Sequence, residues 1–246
     1  MSKYARLRIH IAPLGFESDR VVLPAIEMKA DKVWILTQSN EQTGAKSYLD
    51  DIKIRLKKER IDFEIMKLNR LDLFSTIKGV RNIMNEGGDN TYYVNVSSGS
   101  KIQAVACTMA CMMFNEKNNL IPYYAQPKEY FAYNGKQMST GLEKIIDLPQ
   151  YNIKTPEEKL VQTLHIIKEN GNKITKSNLA KAVDEKKIIE IGAKEENYEQ
   201  ARFTSLDKNI IQPLKENWKY VKERKIGRTR WIEMTSEGEH VLEILD

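Results

Sequence analysis

Short apolar runs alternate with helical patterns along the first 130 or so residues, which predicts strands and helices in turn. Residues 7–12 read as a first strand, stopped by Pro13 and Gly15. A short helix near 19–29 leads to a second strand at 32–36. Residues 45–60 place Leu49, Ile52 and Leu56 on one helical face, and 63–66 form a third strand. Leu73, Ile77, Val80 and Met84 repeat at helical spacing until Gly87 and Gly88 interrupt them. A fourth strand, 92–96, turns through Ser97, Ser98, Gly99 and Ser100 into an almost wholly apolar helix, 101–114. Residues 121–125 and 129–133 are expected to close the unit as a strand pair. Repeated strand–helix–strand units give a mostly parallel, Rossmann-like sheet sandwiched by helices, an α/β fold.

The rhythm then changes. Residues 136–155, broken by Gly141 and Pro149, are expected to link a domain of residues 1–135 to one of 156–246. Thr155, Pro156, Glu157 and Glu158 predict a helix start, with Thr as cap, Pro at the first position and acids at the positive end. A second helix begins after Thr175, and a third, near 199–217, is expected to bend at Pro213. Residues 220–224 and 228–234 make a hairpin, with its turn at 225–227, and a last helix closes the chain. Three helices and a hairpin describe a winged helix-turn-helix. The segment 184–196 exceeds the usual three- or four-residue turn, so the start of the recognition helix stays open.

Composition narrows the classes. The 246 residues are 41% hydrophobic and 30% charged, an ordinary globular profile that can form a core without metal or disulfide staples. No run approaches the roughly 18 apolar residues of a membrane span, and no signal-peptide core precedes the first strand, so no membrane partner is expected. Two cysteines cannot build a disulfide framework, and a cytoplasmic location follows. Net charge is modest, +4 over residues 1–150 and +1 over the rest. Residues 215–230, however, carry seven cations against two acids, which points to a polyanion.

Candidate chemistry is sparse. Phosphate-loop, dinucleotide, zinc-protease and nucleophile-elbow motifs are absent from the sequence, and His10, His165 and His240 lie in different elements. Cys107 and Cys111, one turn apart among methionines, read as core fillers and not as half of a metal site. Residues 95–101 are the most informative stretch. A strand ends, glycine permits a tight turn, and hydroxyls lead into a helix whose free amides, with Lys101, suit a phosphate; an N-capped turn is the plainer alternative. The long loop of Leu14, Gly15, Phe16, Glu17, Ser18 and Asp19 meets the same sheet edge, as do Thr37, Gln38 and Ser39 after the second strand. Phe16 is suited to stacking on a base or packing on the next helix, and Arg20 to meeting phosphate or pairing with an acid.

The loop 14–19 with the turn 95–101 resembles the two motifs of CARF domains, the CRISPR-associated Rossmann-like sensors. With the basic winged helix behind it, the whole chain resembles archaeal CARF transcription regulators. The resemblance implies a homodimer whose two sites merge into one pocket for a cyclic oligoadenylate effector, with no cofactor. It assigns ligand contacts to Gly15–Asp19 and Ser97–Lys101. For double-stranded DNA, the third helix offers Arg202, Ser205, Lys208, Asn209 and Gln212 opposite its apolar face. Lys176 and Ser177 begin the second helix, and Arg224, Lys225, Arg228 and Arg230 form a wing able to track phosphates. The expected protein is thus a nucleotide-responsive regulator and not an enzyme. A ring nuclease using Ser100 or Lys101, or a DNA binder whose first half only dimerises, are the alternatives.

Overall fold

The computed structural model describes residues 6–38, 44–115, 119–131 and 138–245. The chain divides into two units, residues 1–154 and 155–246.

In the first unit the strands are β1 (Arg8–Pro13), β2 (Lys32–Gln38), β3 (Asp62–Leu68), β4 (Thr91–Asn95), β5 (Leu120–Gln126), β6 (Glu129–Tyr130), β7 (Ser139–Thr140) and β8 (Lys144–Asp147). The helices between them are α1 (Asp19–Glu27), α2 (Lys46–Lys58), α3 (Leu73–Gly87) and α4 (Lys101–Met113). Six strands form one sheet in the order β3-β2-β1-β4-β5-β8, parallel except for the last pair. Its centre is dry: Ile11, Val33, Ile35, Tyr92 and Val94 are essentially unexposed. Burying each such side chain contributes about 1.5–3 kcal/mol. α1 and α2 pack together, as do α3 and α4. Right-handed crossovers place the two pairs on opposite faces, because the chain reverses direction between β3 and β4. α4 carries no charge after Lys101, since Ala106, Cys107, Ala110 and Cys111 are all buried. Burial alone pushes the Cys107 thiol up to about 12, so it is a small apolar filler and not a nucleophile.

Two expectations need correction here. The stretch expected to be a linker, 136–155, contains a strand of the sheet, because β8 pairs antiparallel with β5; residues 136 and 137 lie outside the described residues. Nor does β5 pair with the strand after it: β6 pairs with β7 in a separate short ladder, while β5 lies between β4 and β8.

The second unit contains α5 (Glu158–Glu169), β9 (Lys173–Thr175), α6 (Lys176–Glu185), α7 (Tyr198–Leu206), β10 (Val221–Ile226), β11 (Thr229–Met234) and α8 (Ser236–Leu245). Its core joins Leu164, Leu179, Val183, Leu206, Ile210, Leu214, Ile232 and Leu242. The three strands order as β10-β11-β9. This is a winged helix. α5 starts two residues later than expected, with Glu157 as its cap residue, and the Thr155 side chain is not the cap. The wing turn is Gly227-Arg228, one step beyond the expected place, with Gly227 at φ +61°. At Pro213, where a bend is expected, the backbone widens into π-turns, Asp207–Ile211 and Pro213–Asn217, continuing α7. A wider turn relieves the clash between a proline ring and the carbonyl four residues earlier. Among the described residues no helix is long and apolar enough to cross a membrane.

Candidate ligand site and nucleic-acid interface

The strand order reverses between β1 and β4, so their carboxyl ends flank the switch point where such sheets bind ligands. The loops leaving those ends cross in close contact. A Cβ on Gly15 would lie 2.8 Å from the Gly99 nitrogen. One on Gly99, at φ +80°, would lie 2.5 Å from the Pro13 Cβ. The Ser98 hydroxyl donates to the Pro13 carbonyl at 2.7 Å and is 4% exposed. Ser97 is also buried, with its amide and hydroxyl both donating to Asn95 Oδ1. Asn95 Nδ2 in turn donates to the Arg20 carbonyl at 2.7 Å. The Ser98 hydroxyl thus ties the two loops together, while the Ser97 hydroxyl braces Asn95, whose amide reaches the start of α1.

Ser100 caps α4 in a reciprocal box: its Oγ accepts from the Gln103 amide at 3.2 Å, and its own amide donates to Gln103 Oε1 at 3.0 Å. The amides of Lys101 and Ile102 remain outside that box at the positive end of the helix. Lys101 is exposed and makes no ion pair among the described residues.

The acids of the first loop are occupied. Glu17 accepts from Arg20 at 3.2 Å and from the Ser139 hydroxyl. Asp19 accepts from Arg55 at 2.7 Å and from the Gly141 amide at 2.8 Å. Arg20 is 7% exposed, donates to the Ala125 carbonyl and the Tyr124 hydroxyl, and lies 5.0 Å over the Tyr124 ring. Of its two sequence readings, pairing with an acid holds. Phe16 meets the α2 residue Tyr48 edge-on at 5.7 Å and keeps 38% of its surface exposed. Ser18 and Leu14 are buried, as is Thr37. Gln38 Oε1 accepts from the Arg70 amide at 3.0 Å, and Ser39 lies outside the described residues.

Arg70 was missed by sequence reasoning. Its backbone amide is held by Gln38 and its carbonyl by the Ser100 hydroxyl at 3.2 Å, so it ties the ends of β2 and β3 to the start of α4. It adds a guanidinium with no partner among the described residues to the same sheet edge. Its position just beyond the third strand was the available signal.

His10 lies within β1, between the rings of Tyr93 and Tyr123, with Nδ1 3.1 Å from the Tyr123 hydroxyl and Nε2 without a hydrogen-bond partner among the described residues. Burial, and secondarily the Arg8 charge, lowers its pKa to about 3, so it is neutral at physiological pH.

In the second unit the expected DNA contacts separate into two groups. Lys176 and Arg202 are mostly buried and serve the fold. Lys176 pairs with Asp207 at 2.5 Å, and Arg202 with Glu199 at 3.0 Å and Asp184 at 3.5 Å. Ser177, Lys208 and Gln212 are exposed, while Ser205 and Asn209 are half-buried and bonded to each other at 3.0 Å. On the wing, Arg224 pairs with Glu233 at 3.2 Å and Arg230 with Glu223 at 3.4 Å. The Lys173 ammonium beside it, with Arg224 and Lys222, holds the Glu233 carboxyl below its ordinary range. Lys225 and Arg228 are exposed and unpaired among the described residues.

A Rossmann-like parallel sheet joined to a winged helix defines the class of protein. The chain belongs to the family described as HFX_2341_N:-like, N-terminal, whose model matches residues 8–130. Residues 159–246 match the DUF6293 C-terminal winged helix domain. It is 29% identical over 191 residues to the uncharacterized protein MJ1513 of Methanocaldococcus jannaschii, covering 67% of this chain and 57% of that protein. This chain therefore spans less than two thirds of that relative's length. Among solved structures it is similar to Enterococcus italicus Csm6 bound to cyclic hexa-2'-fluoro-hexa-dAMP, at 12% identity and TM-score 0.45, covering 87% of this chain and 56% of that one. It is also similar to Can2 from Sulfobacillus thermosulfidooxidans in complex with cyclic tetra-adenylate, at 14% identity and TM-score 0.42, covering 96% and 63%.

Proposed function

We propose that this protein is a nucleotide-responsive, DNA-binding regulator of the CARF type. In this reading the sheet edge senses a cyclic oligoadenylate and the winged helix binds double-stranded DNA. The observation that carries it is the contact of Gly15 with Gly99, which joins two loops at the switch point beside an unpaired Lys101. A phosphate there meets the free amides of α4, the Lys101 ammonium and, at the same edge, the Arg70 guanidinium. Glu17 and Asp19 oppose it little, because Arg20 and Arg55 already neutralise them.

Dimerisation belongs to the same proposal. On α4, Ile102 and Val105 are 41% and 51% exposed, one turn apart and directly after Lys101. A second copy packed on that stripe would bring two sets of loops around one two-fold ligand. The cytoplasm is the proposed compartment.

Sensing is favoured over cleavage. The hydroxyls of Ser97, Ser98 and Ser100 are each engaged, with the Asn95 side chain, the Pro13 carbonyl and the α4 cap respectively, and His10 is sealed inside the sheet as a poor base. Incubation with cyclic tetra- and hexa-adenylate, followed by chromatography of the nucleotide, tests this. Retention of intact ligand is expected; linear products would make it a ring nuclease, and no binding would leave only a DNA-binding dimer.

A further inference from the structure

The insertion between α6 and α7 builds a groove beside the third helix. Its start is fixed because Ile188 donates its amide to the Val183 carbonyl at 3.0 Å, and Ile188 and Ile189 pack on the core. Its end is fixed because Tyr198 donates to Asp184 at 2.8 Å and Arg202 pairs with the same carboxylate. Between these anchors, Glu190 and Gly192 face the helix across a cavity of about 430 Å³. On the helix side, Ala201, Ser205 and Lys208 line it at turn-by-turn spacing. Lys208 and Glu190 are exposed, and neither forms an ion pair among the described residues.

We infer that this groove seats one sugar–phosphate strand of duplex DNA, a proposal that rests on the DNA-binding reading above. The reason is size. A helix with its side chains is about 10–12 Å across and fills a major groove about 12 Å wide. An anchored loop beside that helix has no room within the same major groove. It must lie outside, and the strand bordering the major groove then passes between loop and helix. The lining fits that occupant, since hydroxyls, amides, backbone N–H groups and a lysine are the groups that contact phosphates. Among the lining residues Glu190 is the one acid, so the insertion sets affinity as well as register.

The test compares full-length wild type, Lys208→Gln, Glu190→Gln and Ala201→Trp on a short mixed-sequence duplex over a range of salt. Arg228→Glu serves as the wing control, and melting curves confirm folding. Lys208→Gln is expected to weaken binding about three- to tenfold and reduce the salt slope by about 0.9. Glu190→Gln is expected to strengthen binding about two- to fivefold by removing a like charge near phosphate. Ala201→Trp, folded, should weaken binding at least about tenfold by filling the groove. If Lys208→Gln and Glu190→Gln both match wild type while Arg228→Glu weakens binding, the groove is outside the interface and DNA binding stands without it. Weaker binding by Glu190→Gln would also overturn the proposal, because that carboxylate would then be contacting a base. If wild type binds no duplex, both readings fall together.

Discussion

Gly15 and Gly99 approach so closely that a side chain on either would collide with the other's loop: a Cβ on Gly15 would sit 2.8 Å from the Gly99 nitrogen. Gly99 is also at φ +80°, a region that L-residues enter at a cost of about 1–2 kcal/mol. Gly99→Ala should therefore destabilise the first unit by at least that amount and separate the loops. Calorimetry should report a lowered first-unit transition, with loss of cyclic-nucleotide binding. A wild-type melting profile would mean the crossing is not rigid.

Lys101 and Ser98 should behave differently although they are three residues apart. Lys101→Ala removes an exposed, unpaired charge, so stability should hold while ligand affinity falls about ten- to a hundredfold, the worth of one charge-assisted hydrogen bond. Ser98→Ala leaves the buried Pro13 carbonyl without its donor and should cost about 1–3 kcal/mol of stability. Parallel melting and ligand titrations check both. Equal ligand binding by Lys101→Ala and wild type would remove phosphate from the α4 start.

The wing arginines are unequal. Arg224 and Arg230 are already paired with Glu233 and Glu223, whereas Arg228 at the turn makes no ion pair among the described residues. Arg228→Gln should lower the salt slope of DNA binding by about 0.9, and Arg230→Gln by less, since its contact with DNA must displace a carboxylate. Slopes measured by anisotropy distinguish them.

His10 links stability of the first unit to acid. Its pKa is lowered to about 3 from 6.5, so the unfolded chain takes up the proton first. Its contribution is complete above pH ~6.5 and is lost as pH falls towards 3, by about 1.4 kcal/mol per pH unit. His10→Phe should be less stable at neutral pH, because the Tyr123 hydroxyl loses a partner, yet show a shallower decline in acid. Calorimetry between pH 7 and 4 compares the slopes; identical slopes would assign the acid sensitivity to other groups.

Much of this architecture was legible because local and global signals agreed. Each parallel strand carried its own apolar run, and the turn after β4 announced itself by four small residues. β8 was hidden because Lys144–Asp147 is only four residues long and its partner strand lies some twenty residues back, with β6 and β7 between. Pairing at that range is a tertiary choice that propensity does not record. The first loop was legible, but the partners of its acids were not: Arg20 pairs with Glu17 one turn on, while Ser139, Arg55 and Gly141 reach Glu17 and Asp19 from distant parts of the chain. The pairing of Lys176 with Asp207 and of Arg202 with Asp184 was equally hidden, because those carboxylates come from other elements or other turns of the fold.

The central claim is that ligand binding and DNA binding share free energy, a coupling that must be reciprocal. The most direct test is a four-way titration of wild-type protein with cyclic tetra- or hexa-adenylate, with and without duplex DNA. One intact ligand per two chains is expected, with the nucleotide changing DNA affinity by the same factor by which DNA changes nucleotide affinity. Nucleotide binding that leaves DNA affinity untouched, or no binding of either ring, would contradict the account.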